Sequence, residues 1–119
     1  MFRLDLRFQN ITVKEYILKE GDIRFIGRTP EAHIVIDESD VSRRHACIVL
    51  FESQLYVWDE GSKHGTLVNG LPVICAKLEH GDVVSIGTTH SLKASILTKG
   101  RGGTISAEYD RQRNLMTTV

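Results

Sequence analysis

His45-Ala46-Cys47-Ile48-Val49-Leu50-Phe51, followed after a short break by Leu55-Tyr56-Val57-Trp58, is the stretch that decides the fold class. Side chains two apart on an extended strand share a face. Ala46, Ile48 and Leu50 therefore lie on one face, and Leu55 and Val57 likewise share one. The same alternation opens the chain, where Phe2, Leu4, Leu6 and Phe8 oppose Arg3, Asp5 and Arg7. Further short segments rich in β-branched and aromatic residues fall at 11–18, 23–26, 34–36, 83–86 and 92–97. Turn signals separate them at Glu20-Gly21-Asp22, Gly27-Arg28-Thr29-Pro30, residues 37–40, Glu60-Gly61-Ser62, Asn69-Gly70, His80-Gly81-Asp82 and Gly87. No segment before residue 100 keeps a helical period. Many short strands at roughly 8–12-residue spacing predict an all-β sandwich or barrel. A sandwich suits residues 1–98, because two stacked sheets bury alternate side chains between them.

Composition agrees. The chain has 119 residues, 41% hydrophobic and 25% charged, which fits one globular domain and excludes a disordered chain. Fifteen basic residues balance fifteen acidic ones. That argues against a nucleic-acid binder, whose domain carries a basic excess, so any anion site must be a local cluster. No apolar run approaches the roughly 18 residues of a membrane span, and the first residues lack the apolar region of a signal peptide. Two cysteines, Cys47 and Cys75, are too few for a disulfide framework and fit the reducing cytoplasm. From Lys99 the character changes. Lys99-Gly100-Arg101-Gly102-Gly103 reads as a Gly-rich linker, and Ile105, Tyr109, Leu115 and Met116 form only a partial helical stripe. Residues 99–119 are expected to be a weakly structured tail.

Three loops hold polar residues that strands have no use for. They are Gly27-Arg28-Thr29, then Ser39-Asp40-Val41-Ser42-Arg43-Arg44-His45, then Gly61-Ser62-Lys63-His64-Gly65-Thr66 followed by Val68-Asn69-Gly70. With Asp59 and with Leu78-Glu79-His80-Gly81-Asp82-Val83-Val84-Ser85-Ile86-Gly87, their order and spacing resemble the forkhead-associated (FHA) domain family. The resemblance covers about residues 2 to 97. It implies a twisted β-sandwich of about eleven strands and recognition of phosphothreonine peptides by loops at one end. The implied partner is a serine/threonine kinase or its substrate, and the implied role is that of a signalling adaptor without cofactor or metal.

The residues make chemical sense of that role. A phosphate needs charge-assisted donors, and arginine presents a planar fork of them. Arg28 matches the family arginine that anchors peptide and phosphate, and Ser42 the family serine whose hydroxyl donates to a phosphate oxygen. Arg43 and Lys63 stand where the family often supplies further donors. His45 matches a family histidine that ties the second loop; Gly27, Gly65, Thr66, Asn69 and Gly70 read as structural support of the loops. Arg44 is expected to point away from Arg43 along an extended chain. One position departs from the family: His64 replaces the usual asparagine, which hydrogen-bonds the bound peptide's backbone. A histidine cannot donate and accept from one amide group as asparagine does. That opens an alternative, a protein-interaction module on the same fold that has lost phosphate dependence. Arg101-Gly102-Gly103-Thr104 places an arginine three residues before a threonine, a spacing basophilic kinases accept, so Thr104 is a candidate phosphoacceptor.

Two other classes are weighed against this. Ser42, His45 and Asp59 are the residue types of a hydrolase triad, but no nucleophile-elbow pattern surrounds them. His45 and Cys47 are ligand types on one strand, yet no histidine or cysteine pair has metal-site spacing.

Overall fold

The computed structural model describes residues 1–97. They form eleven strands: β1 (Phe2–Phe8), β2 (Ile11–Leu18), β3 (Ile23–Gly27), β4 (Ile34–Val35), β5 (Ala46–Phe51), β6 (Gln54–Asp59), β7 (Thr66–Val68), β8 (Leu71–Val73), β9 (Cys75–Leu78), β10 (Val83–Ile86) and β11 (His90–Ile96). They build two sheets, one of six strands in the order β2-β1-β11-β10-β7-β8 and one of five in the order β4-β3-β5-β6-β9. All pairings are antiparallel except β3 with β4. The all-β sandwich expected from the alternation is the fold observed. No helix among the described residues is long and apolar enough to cross a membrane.

The registers follow from the alternation. Ala46, Ile48 and Leu50 of β5 stand opposite Asp59, Val57 and Leu55 of β6, and their apolar members are all at most 1% exposed. From the facing sheet, Leu4 pairs with Ala94 and Leu6 with Leu92. A one-residue slip would turn each set to solvent, at about 1.5–3 kcal/mol for each large side chain exposed. The hairpin between β5 and β6 turns at Glu52 and Ser53, both at positive φ, and the Glu20 carboxylate accepts from both of their amides.

The two outer faces differ. That of the six-stranded sheet carries Arg3, Asp5, Glu15 and Lys93 in neighbouring register, with Arg3 Nε 3.0 Å from Asp5 Oδ1. The outer face of the five-stranded sheet is apolar and aromatic, with Phe25 opposite Cys47, Cys47 opposite Trp58 and Val49 opposite Tyr56.

Strand direction sorts the loops between two ends. Residues 28–33, 36–45, 60–65 and 87–89 gather at one end, where β3, β6 and β10 finish. The turns at Asn69-Gly70 and at 79–82 lie at the other, as do Met1 and Leu97, whose backbones are hydrogen-bonded at 2.8 Å.

Candidate functional site

The site begins with a glycine. A Cβ on Gly27 would stand 1.9 Å from the Arg43 carbonyl oxygen, so only glycine lets the 36–45 loop lie against the end of β3. Backbone bonds complete the seam: Arg28 N–H donates to Ser42 O at 3.1 Å, Ile36 N–H to Gly27 O at 2.8 Å, and His45 N–H to Ile26 O at 2.9 Å. The Arg28 guanidinium spans the same seam, its Nε donating to Val41 O at 2.9 Å.

His45 locks two loops together. It is fully buried; its Nδ1 accepts from the Ser42 amide at 3.1 Å and its Nε2 lies 2.9 Å from Gly65 O. An amide can only donate and a carbonyl only accept, so the ring is the neutral tautomer with its proton on Nε2. Both nitrogens are thus engaged by backbone. Nδ1 faces the Ser42 amide rather than its hydroxyl, so His45 does not activate Ser42 as a base would. Asp59 does not reach His45 either; it organises the third loop. Its carboxylate accepts from Gly61 N at 3.0 Å, from Ser62 N at 3.1 Å, from the Ser62 hydroxyl, and from Thr66 Oγ1 at 2.8 Å. Burial pushes the Asp59 carboxyl up, but the bonds from Ser62, Thr66 and Gly61 together outweigh it and hold the group below its ordinary value. The three residues form no catalytic relay. Among the described residues, no group of three or more histidine, cysteine or acidic side chains is placed to hold a metal ion.

Ser42 Oγ accepts the Lys63 amide at 2.9 Å. A hydroxyl that accepts through oxygen keeps its own proton to donate. Arg28, Asp40, Ser42, Lys63 and His64 surround a pocket of about 210 Å³. Asp40 fastens its far side: its Oδ2 accepts from both the amide and the hydroxyl of Thr88, each at 2.8 Å. The Thr88 hydroxyl, with a smaller contribution from nearby His64, holds the Asp40 carboxyl below its ordinary value. Gly87 is fitted to this clasp, since a Cβ there would stand 2.7 Å from Asp40 Oδ1.

Two expectations, for Arg43 and Arg44, need adjusting. Arg43 does not line this pocket; it lines a neighbouring cleft of about 440 Å³. Arg44 lines that cleft too. It does not point away from Arg43, because the backbone bends at both residues instead of extending. Asn69 and Gly70 form a turn at the opposite end of the sandwich, where Asn69 braces the neighbouring 79–82 turn: its Nδ2 donates to Asp82 at 3.0 Å and its Oδ1 accepts from Val83 N at 3.0 Å. Gly65 and Thr66 do belong to the site end, through the bonds to His45 and Asp59. Thr104 lies outside the described residues. The Asp40–Thr88 clasp has no local signature in the sequence; Gly27 reads there as loop support, but the carbonyl that it makes room for does not.

A sandwich whose end loops gather arginine, serine and lysine around a small polar pocket offers an anionic ligand charged and neutral donors on loops. The FHA domain family model matches residues 24–87, more than half of the chain, and the chain belongs to that family, whose domains are phosphothreonine-binding modules. It is 48% identical over 70 residues to the glycogen accumulation regulator GarA of Mycobacterium tuberculosis, an alignment covering 59% of this chain and 43% of GarA. The chain thus spans under half the length of that relative. The FHA domain of the CT664 protein from Chlamydia trachomatis superposes with a TM-score of 0.75 at 27% identity, over 82% of this chain and 98% of that one. Mycobacterium tuberculosis EmbR, solved with a low-affinity phosphopeptide, superposes with a TM-score of 0.70 at 27% identity, over 84% of this chain and 26% of EmbR.

Proposed function

We propose that the chain is a phosphothreonine-peptide reader, a cytoplasmic signalling adaptor that acts downstream of a serine/threonine kinase and performs no chemistry of its own. The observation that carries the reading is the Ser42 hydroxyl, held at its oxygen by the Lys63 amide in a pocket shared with Arg28. In this reading Ser42 Oγ–H and the Arg28 guanidinium donate to the phosphate, the Lys63 ammonium adds charge, and Arg43, exposed on the neighbouring cleft, adds positive charge from outside the pocket. Each charge-assisted bond contributes about 1.5–3 kcal/mol, enough for micromolar affinity after ordering costs. His64 makes one hydrogen bond to the peptide backbone where the family's asparagine makes two. The partner is a phosphothreonine segment of a kinase or of a kinase substrate. The threonine methyl fills an apolar notch worth about 1 kcal/mol that phosphoserine leaves empty.

Calorimetry on a phosphothreonine peptide drawn from an oriented screen, its phosphoserine version and its unphosphorylated twin tests this. The expected order is tight, weaker and absent. Ser42→Ala is expected to abolish most of the phosphothreonine affinity while the protein stays folded. Equal affinity for the phosphorylated peptide and its twin would replace this reading with the phosphate-independent interaction module.

A further inference from the structure

One row across the outer face of the five-stranded sheet reads Phe25, Cys47, Trp58 and Cys75. Of the outward residues on β3, β5, β6 and β9, only Lys77 is charged, and Glu79 pairs with it at 3.5 Å. Ile23, Phe25, Phe51 and Trp58 are each between 38% and 56% exposed. A sheet face that stays in water carries polar residues in alternation with the buried ones. The six-stranded sheet does so, with Arg3, Asp5, Glu15 and Lys93 outward. A contiguous aromatic face of the opposite character marks a surface that another element covers.

The size of the face selects its occupant. Three strand spacings of about 4.8 Å separate β3 from β9, and Cys47 to Phe51 spans about 13 Å at 3.3 Å per residue. A patch of about 14 by 13 Å offers far less than the roughly 800 Å² that each partner contributes to a stable protein–protein interface. One short segment covers it, and a second copy does not find its area there. The chain itself holds such a segment. Residues 98–119 lie outside the described residues and include Ile105, Tyr109, Leu115 and Met116. Residues 99–119 carry four basic residues against two acidic, a net of plus two, where residues 1–98 carry eleven against thirteen, a net of minus two. Acidic Glu52 follows β5 and acidic Glu60 follows β6, at the two ends of the face, and Glu60 is hydrogen-bonded to the Cys47 thiol on it. Arg111 and Arg113 fall between Tyr109 and Leu115.

The segment also starts from the right pole. Leu97 N–H donates to Met1 O, the adjoining Phe2 pairs with Leu18, and the 19–22 turn after Leu18 is bonded to β5 through Gly21 N–H and Leu50 O. Leu50 precedes Phe51, so the chain leaves the described residues at the pole where Phe51 ends the apolar face. Packed sheets lie about 10 Å apart. The eight residues after Leu97 reach at most about 28 Å, enough to pass from one sheet to the far side of the other. We propose that residues 105–116 cover the outer face of the five-stranded sheet of their own chain, with their apolar side chains against Phe51, Tyr56 and Trp58.

Two probes already sit on the face. Trp58 is the single tryptophan of the chain, and the exposed Cys75 stands opposite it. Cys47 is buried, and burial pushes its thiol up to about 11, so a thiol-specific reagent at neutral pH reads Cys75. The full chain is compared with Tyr109→Asp/Met116→Asp, also full-length. In the wild type Cys75 is expected to react about tenfold more slowly than in the variant, as for a contact closed about nine-tenths of the time. Trp58 is expected to emit at shorter wavelength in the wild type, and neither readout is expected to change with protein concentration. Arg111→Glu/Arg113→Glu is expected to move both readouts in the same direction as the aspartate variant, by a smaller step. Labelling of one thiol per chain, not two, shows the sandwich intact; if the aspartate variant exposes both, the arginine variant decides. The proposal is overturned if the variants match the wild type in both readouts. It is also overturned if the wild type loses its protection on dilution, which would make the face a contact between copies.

Discussion

His45 shows at the residue scale how a buried polar side chain specifies a loop. Its two ring bonds satisfy an amide on one loop and a carbonyl on another, and the ring itself is inaccessible to solvent. His45→Ala leaves both backbone groups unpaired and opens a cavity. Each buried unpaired group costs about 1–3 kcal/mol, so the variant is expected to lose about 2 kcal/mol or more, lowering Tm by roughly 10 °C in a thermal melt. Asp59 gives the pH counterpart. A carboxyl whose folded pKa lies below its unfolded value of 3.8 stabilises the fold above that value, and the contribution fades as pH falls through the folded pKa. Wild-type Tm is therefore expected to drop on acidification below about pH 4. Asp59→Asn, which carries no such charge, is expected to be less stable at neutral pH and to show a flatter profile across the acidic range. Parallel profiles for the two proteins would remove Asp59 from the account.

Between elements, the decisive contact is the end of β3 against the 36–45 loop. Gly27→Ala drives a methyl group into the Arg43 carbonyl, and neither backbone can yield without breaking the Arg28–Ser42 and His45–Ile26 bonds. The expected result is a destabilisation of about 2 kcal/mol or more, together with loss of phosphopeptide affinity, measured by denaturant titration and calorimetry. If Gly27→Ala keeps both, the loop is less tightly set than its packing indicates. This scale also divides what is legible in the sequence from what is not. The alternation in Phe2–Phe8 and Ala46–Phe51 reads directly, since each strand has one face against the core. Strands β7, β8 and β9 do not read directly: each has three or four residues, β8 contains Pro72, and pairing with neighbours rather than propensity holds them extended. The residue types of the site are legible as a motif. Their supports are legible only in part: Gly27, His45, Gly65 and Thr66 read as loop support, but the Asp40–Thr88 clasp joins residues 48 apart and the partner of Gly27 is met only once two loops come together. Arg44 misleads for the same reason, as a backbone bend carries no signal of its own in the side-chain pattern.

For the whole molecule, what matters is which end each segment leaves from. Leu97 stands at the end remote from the Arg28/Ser42 pocket, paired with Met1, whereas His90, at the start of β11, lies on the pocket's side. The seven residues of β11 rise about 23 Å at 3.3 Å each, and the loops extend beyond them. The chain from Leu97 to Thr104 reaches at most about 25 Å, too little slack to fold back and seat a phosphorylated Thr104 in its own pocket. After stoichiometric phosphorylation at Thr104, the expected behaviour is therefore association between chains, rising with concentration and abolished by Arg28→Ala, as read by light scattering. An unchanged mass would remove Thr104 as a ligand of this pocket. The meeting of Met1 and Leu97 has a separate consequence for protein engineering. Because both ends emerge together at the pole opposite Arg28 and Ser42, residues 1–97 are suited to grafting into a surface loop of an unrelated host. The incoming and outgoing strands would occupy adjacent attachment points, and the receptor pole would face outward into solvent.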